Sequence, residues 1–279
     1  MTEHQVVNIF DSRVHASFPR YVAKIFSEMW VYRFALRNFV VNNLRTRYRR
    51  SVLGFLWSLL NPLFFMLILA VVFSTIFKQN IRTYSIYIFS GMIPWLYINT
   101  SITMGCQTLI NAEGFLKKVY IPKLLFPAVS VTTETVNFIL SVISLYLIGL
   151  MVGFPIKITV LYLPLVILIT LLFNLGWVLI VSVTTIYFRD MTHLISVIFQ
   201  ALFYLAPIIY PLESIPEQFR GLFLFNPFYY FIILFRKVIY GSPALTWQDW
   251  LMPVGLMIVI LTIGLFILKR QDRTIVYRL

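Results

Sequence analysis

RTRYRRSVLGFLWSLLNPLFFMLILAVVFSTIF, residues 45–77, decides how the rest of the chain is read. Four arginines, Arg45, Arg47, Arg49 and Arg50, run directly into an uncharged stretch from Ser51 to Phe77. A helix over 55–77 would rise about 34 Å at ~1.5 Å per residue, enough to cross a hydrocarbon core. Guanidinium groups are costly to move through lipid, so the basic end stays cytoplasmic while the apolar end threads outward. The orientation of every later segment follows.

Composition agrees. Hydrophobic residues make up 60% of the 279 and charged residues only 12%, against roughly 45–50% apolar and about 25% charged in soluble domains. Mean hydropathy is +0.86. The net charge of +13 comes from lysines and arginines at the ends of apolar runs. That placement fits topology and attraction to anionic lipid rather than a nucleic-acid groove. Cys106 is the single cysteine and His4, His15 and His193 are scattered, which excludes an internal disulfide and argues against a metal site. The first fifty residues hold no continuous apolar core, so the first span is expected to direct insertion without a cleaved signal peptide.

The pattern predicts an all-α polytopic membrane protein of six spans, at 55–77, 84–105, 124–152, 159–187, 191–211 and 250–268. Residues 1–20 read as a cytoplasmic tail. Over 21–45, Val22, Ile25, Phe26, Met29, Leu36, Phe39 and Val40 share one helical face, the pattern of an amphipathic helix in the membrane interface or of one packed against protein. The six-span domain covers 46–270, and 271–279 is a cytoplasmic tail. With both termini inside, 17 Lys and Arg lie on the cytoplasmic side and 6 outside. Counting only residues near membrane ends leaves 13 inside, and the bias survives. The same bias keeps 219–235 from crossing. Asn226–Pro227 divides it, so two re-entrant half-helices dipping from the outer face are expected, with Arg236 and Lys237 as outward-facing charges just beyond. Gly149 and Gly153 form a GxxxG pair, a weak helix-packing signal.

A transporter needs an energy source. The chain has no G-x-x-x-x-G-K-[ST] loop, and Glu134 is the only acid between the span ends. An acid within a span is a functional candidate, but a structural role is expected of it, either protonated or bonded to a neighbour such as Asn137 on its own helix. RYRRSVLGFLWSLLNP (47–62), LKKVYIPKLLFP (116–127), YFRD (187–190), APIIYPLESIP (206–216) and NPFYY (226–230) occur in that order. With these motifs the chain resembles the membrane subunit of ABC-2-type polysaccharide exporters, the permeases for O-antigen, teichoic acid and capsule chains.

The resemblance implies a permease homodimer above a dimer of separate ABC ATPase subunits, which bind ATP and Mg. This chain holds no cofactor and catalyses no bond change. The cargo implied is an undecaprenyl-diphosphate-linked glycan, leaving a bacterial cytoplasmic (inner) membrane; nucleic acid is no partner. Arg45, Arg47, Arg49 and Arg50 suit the diphosphate headgroup, since guanidinium pairs with phosphate through two hydrogen bonds; topology alone would also place arginines there. Trp57, Asn61 and Phe64 on the first span, and Ser196, Phe199, Phe203 and Tyr210 on the fifth, form aromatic and polar stripes that suit a sugar channel or plain packing. The resemblance gives 113–118 (Glu113, Gly114, Phe115, Leu116, Lys117, Lys118) the coupling role, with Phe115 and Leu116 as apolar anchors in the ATPase; by itself it is a solvated basic loop. An ABC-2 exporter of a drug or small lipid is the nearest rival. A membrane-embedded glycosyl- or acyltransferase is the distant one, for which convergent acids are lacking.

Overall fold

The computed structural model describes residues 17–47, 57–241 and 244–279, all helix, turn or irregular backbone with no strand among them. Three helices are long and apolar enough to cross a membrane: α7 (Leu125–Val152), α8 (Leu163–Tyr187, led in by a 3₁₀ turn at Ile158–Tyr162) and α12 (Trp247–Gln271). A fourth is reached if α10 (Glu217–Leu224) and α11 (Pro227–Tyr240) count as one bent span. Two further helices belong to the bundle, α3 (Trp57–Ile76) and α4 (Ile81–Gly105). α4 is its centre: Ile88, Phe89, Ile98 and Ile102 are wholly buried. Its tyrosines, serines and threonines lower its hydropathy because it faces protein on nearly every side.

The amphipathic segment is two helices, not the single one expected over 21–45. α1 (Phe18–Val31) and α2 (Arg33–Arg47) meet at Tyr32, which leaves helical geometry with ψ 10°. The Tyr32 hydroxyl donates to the Tyr120 carbonyl at 3.1 Å, fixing the break against the loop before α7. Tyr21 and Ile25 of α1 are buried in one cluster with Leu268 and Ile275. Trp30, Val31 and Phe34 stay largely exposed, Trp30 to 71%. The helix therefore has one apolar face on protein and apolar residues left over.

The fifth element also differs. α9 (Met191–Tyr204) stops seven residues short of the expected boundary at 211. Pro207 and Pro211 lack the N–H a helix needs there and restrict the residue before each. At fourteen residues α9 is about 21 Å long, less than a hydrocarbon core. Asn226–Pro227 breaks the chain as expected: α10 and α11 are bent by 95°. Asn226 caps α11 by accepting from the Phe228 N–H at 3.0 Å. Phe228 packs among Trp95, Phe173 and Phe199 in the bundle interior. Tyr240, at the other end of α11, reaches Phe154.

Polar contacts define two ends of the bundle. At one, Lys123 pairs with the Asp272 carboxylate at 2.5 Å and Tyr187 donates to Gln271 at 2.6 Å. Tyr32 and α1 lie there too. At the other, Tyr84 meets Ile209, Thr159 donates to the Val238 carbonyl at 2.7 Å, and Lys237 pairs with Asp249 at 2.6 Å.

Glycine packing falls elsewhere than the GxxxG pair. Gly153, at φ 80°, closes α7 in a Schellman turn: Phe154 N–H bonds to Gly149 O at 2.7 Å and Gly153 N–H to Leu150 O at 3.1 Å. The intimate contact is between α8 and α12. A Cβ on Gly264 would sit 2.5 Å from the Gly176 carbonyl oxygen, and one on Gly176 would strike the Ile260–Leu261 backbone. Backbone cannot yield as a flexible side chain does. Gly264→Ala is therefore expected to destabilise the purified protein by about 1–3 kcal/mol, read as a fall in its thermal unfolding midpoint. An unchanged midpoint would mean that the two helices separate freely.

Candidate functional site

At the Tyr32–Asp272 end, α2, two short helices (α5, Thr108–Asn111; α6, Glu113–Leu116) and α7 enclose an open groove of about 390 Å³. Phe39, Arg47, Phe115, Phe126, Ser130 and Glu134 are among its lining residues. Arg47 donates to one Glu134 oxygen at 3.1 Å, and Asn137 donates to the other at 3.1 Å. The expected Glu134–Asn137 bond is present. Nothing in the sequence announced the arginine, 87 residues away. The Arg47 side chain is 41% exposed and that of Glu134 only 11%, so the cation lies at the mouth and the anion deeper. Arg45 is exposed; Arg49 and Arg50 lie outside the described residues.

The 113–118 loop forms one edge of this groove. The Phe115 ring packs against Phe39 at 5.5 Å and Phe126 at 6.0 Å, yet remains 49% exposed. Leu116 is 8% exposed, turned into the cluster that holds Leu109 and Ile275. It is not free to anchor a partner as expected, because a single helical turn puts neighbouring side chains in divergent directions. Glu113 and Lys117 pair at 2.6 Å; Lys118 is exposed, and Gly114 has open space around it.

The aromatic stripes divide. Trp57 and Phe64 on α3 are exposed, and the Asn61 side chain is outside the described residues. Ser196 on α9 is exposed, its hydroxyl on the Thr192 carbonyl at 2.9 Å. Phe199, in contrast, is 3% exposed, held by Phe228 at 5.0 Å and Trp95 at 5.6 Å. Phe203 also leans on Trp95, at 5.9 Å. Tyr210 does not continue their face, because α9 has ended; its hydroxyl donates to the Tyr204 carbonyl.

At the opposite end, the irregular stretch after α9 is held by side chains from two helices. Arg236 of α11, expected to face outward, is only 7% exposed. Its guanidinium donates to the carbonyls of Pro207 at 2.5 Å and Ile208 at 2.8 Å, and to the Tyr87 hydroxyl at 3.1 Å. It lies 3.9 Å over the Tyr87 ring. Gly91 makes room: a Cβ there would stand 2.4 Å from the guanidinium. Tyr84 donates to Ile209 O at 2.5 Å, Tyr87 to Tyr210 O at 3.0 Å, and Asn226 to Leu205 O at 3.1 Å. Lys237, also expected outside, is paired with Asp249.

Residues 35–240 match the ABC-2 type transporter family, which takes in the groove, both short helices and the arginine-held stretch. The chain belongs to that family. It is 33% identical over 220 residues to the O-antigen export system permease protein RfbA of Myxococcus xanthus, covering 78% of this chain and 84% of that one. An RfbA of Klebsiella pneumoniae shares 27% identity, covering 79% of this chain and 82% of its own length. Polysialic acid transport protein KpsM of Escherichia coli shares 28%, with 71% and 78% covered.

As an ABC-2 chain the molecule is an integral membrane protein and a transport subunit. No group of three or more His, Cys, Asp or Glu among the described residues is placed to hold a metal. The polar side chains of this ABC-2 bundle mostly serve backbone oxygens. Arg236→Met would strip donors from two buried carbonyls, at about 1–3 kcal/mol for each group left unsatisfied. The unfolding midpoint should fall, and Arg236→Lys should restore only part of it, since a point charge cannot span the same acceptors. A midpoint unmoved by Arg236→Met would show those bonds to be dispensable.

Proposed function

We propose that this chain is the transmembrane subunit of an ATP-driven exporter that moves a polysaccharide across the cytoplasmic membrane. The observation that carries it is the match to O-antigen export permeases and a polysialic acid transport protein over most of each length. The absence of a phosphate-cradling loop from the sequence supports an engine on another polypeptide.

In this reading six crossings are made by α3, α4, α7, α8, α9 with its irregular continuation, and α12. The Lys123–Asp272 end is cytoplasmic, which puts α1, the 113–118 loop and the carboxyl tail together. The leftover apolar residues of α1 and α2, Trp30, Val31 and Phe34, fit burial in the inner-leaflet interface. α10 and α11 are half-helices entering from the outer face, their broken backbone satisfied within the protein. Two copies complete the conduit over an ATPase dimer, and exposed Trp57, Phe64 and Ser196 face the sugar path. The cargo is glycan on a lipid diphosphate, received by Arg45, Arg49 and Arg50, while Arg47 is held by Glu134.

Coupling is assigned to Phe115. Its free face is an apolar anchor ringed by Glu113, Lys117 and Lys118, and its other face bears on Phe39 and Phe126. Displacing the ring would thus push on α2 and α7 together. Phe115→Ala should weaken ATPase docking about tenfold, as loss of a moderate anchor does, and lower transport per ATP hydrolysed. Equal docking and coupling would remove the assignment. Alanine at both Arg49 and Arg50 should reduce glycan export with insertion and ATPase assembly intact; undiminished export would leave those arginines to topology alone. A membrane-impermeant label should reach a cysteine placed at Tyr277 only from the cytoplasmic side.

A further inference from the structure

The groove between α2 and α7 is charge-balanced, which bears on what enters it. Arg47 and Glu134 oppose each other at 3.1 Å among Phe39, Phe115 and Phe126. A bare phosphate or diphosphate approaching Arg47 would meet the carboxylate as well and lose by repulsion part of what it gains. A ligand carrying a phosphate and a protonated amine a few atoms apart meets an opposite charge at both ends. We propose that this groove binds an aminophospholipid headgroup, its phosphate on Arg47 and its ammonium on Glu134.

The geometry fits each half. Arg47 makes one hydrogen bond to Glu134 among the described residues, and a guanidinium carries five N–H donors, enough to hold a phosphate through two of them as well. It stands at the mouth, where a headgroup still joined to its glycerol would leave its phosphate. Glu134 lies deeper, where the smaller ammonium would arrive, and its second oxygen is fixed by Asn137. Phe39, Phe115 and Phe126 line the same groove, and aromatic rings attract a desolvated cation over their faces. Met104, exposed and lining the groove, gives the mouth an apolar lip for the start of the acyl chains. A volume near 390 Å³ is within the usual range for small-molecule sites. Because Phe115 lines the same groove, a lipid seated there would brace the loop assigned to coupling. The inference rests on the proposed placement of this end at the inner leaflet.

The test uses the whole complex with its ATPase, reconstituted in nanodiscs of defined composition and followed by native mass spectrometry of retained lipid. Phosphatidylethanolamine should be retained at least severalfold over phosphatidylglycerol and over phosphatidylcholine, whose quaternary nitrogen donates no hydrogen bond. Glu134→Gln should abolish the preference for ethanolamine over choline. Arg47→Gln should lower retention of all three. Should these variants fail to fold, Ser130→Leu fills the groove from its half-buried wall and should release the lipid. Equal retention of the three lipids overturns the proposal, as does a preference for phosphatidylethanolamine that survives Glu134→Gln. Stronger retention of phosphatidylglycerol would mark an anionic-headgroup site and overturn it equally. The readout is lipid mass, so its failure leaves the export reading standing. Export can fail separately with the lipid still bound.

Discussion

A carbonyl oxygen that leaves a helix in a protein interior must find a donor, and from Leu205 to Tyr210 five do so on side chains. α9 stops at Tyr204 because prolines follow, and tyrosine, asparagine and arginine side chains reach the freed oxygens. Each donor comes from an element that the chain brings back to this place: Tyr84 and Tyr87 from α4, Asn226 from the 95° bend, Arg236 from α11. A guanidinium is suited to this because it offers several donors in one plane. Its desolvation is offset by carbonyl dipoles and by the Tyr87 ring. The bent helix pair and the irregular strap before it are one arrangement, tied together by Arg236, Asn226 and two tyrosines.

The other end is built on ion pairs and rings. Lys123 and Asp272, both nearly buried, join the start of α7 to the chain after α12. The short helices α5 and α6 are too brief to be stable alone. Leu109, Ala112 and Leu116 hold them to the bundle by entering the cluster shared with α1 and α12. Phe115 is left as the apolar surface, with Phe39 and Phe126 behind it. The first end is tied mainly through backbone oxygens, the second mainly through side chains, with a groove between them.

Much of this was legible in the residues. The change from arginines to an apolar run at 45–77 is read from lipid energetics without knowing a single contact. The break at Asn226–Pro227 follows from the missing N–H, and the Glu134–Asn137 bond from their three-residue spacing. What was not legible depends on chain return. Arg236 looked like a charge beside a membrane, because charge counting cannot see carbonyls contributed by a segment nearly thirty residues earlier. Tyr210 was placed on the face of Phe203 by carrying helical periodicity through Pro207. Leu116 was read as outward because one turn of helix is too short for its inner side to be told from its outer. Gly149 and Gly153 matched a packing spacing while serving as the end of their own helix.

Where α8 and α12 touch at Gly176 and Gly264, main chain lies on main chain with no side chain between. Rotamers are what allow packed helices to slide in small steps, and this contact has none. α3 and α9, which carry no glycine, meet their neighbours through side chains, so a change in helix spacing costs less at their contacts than at this one.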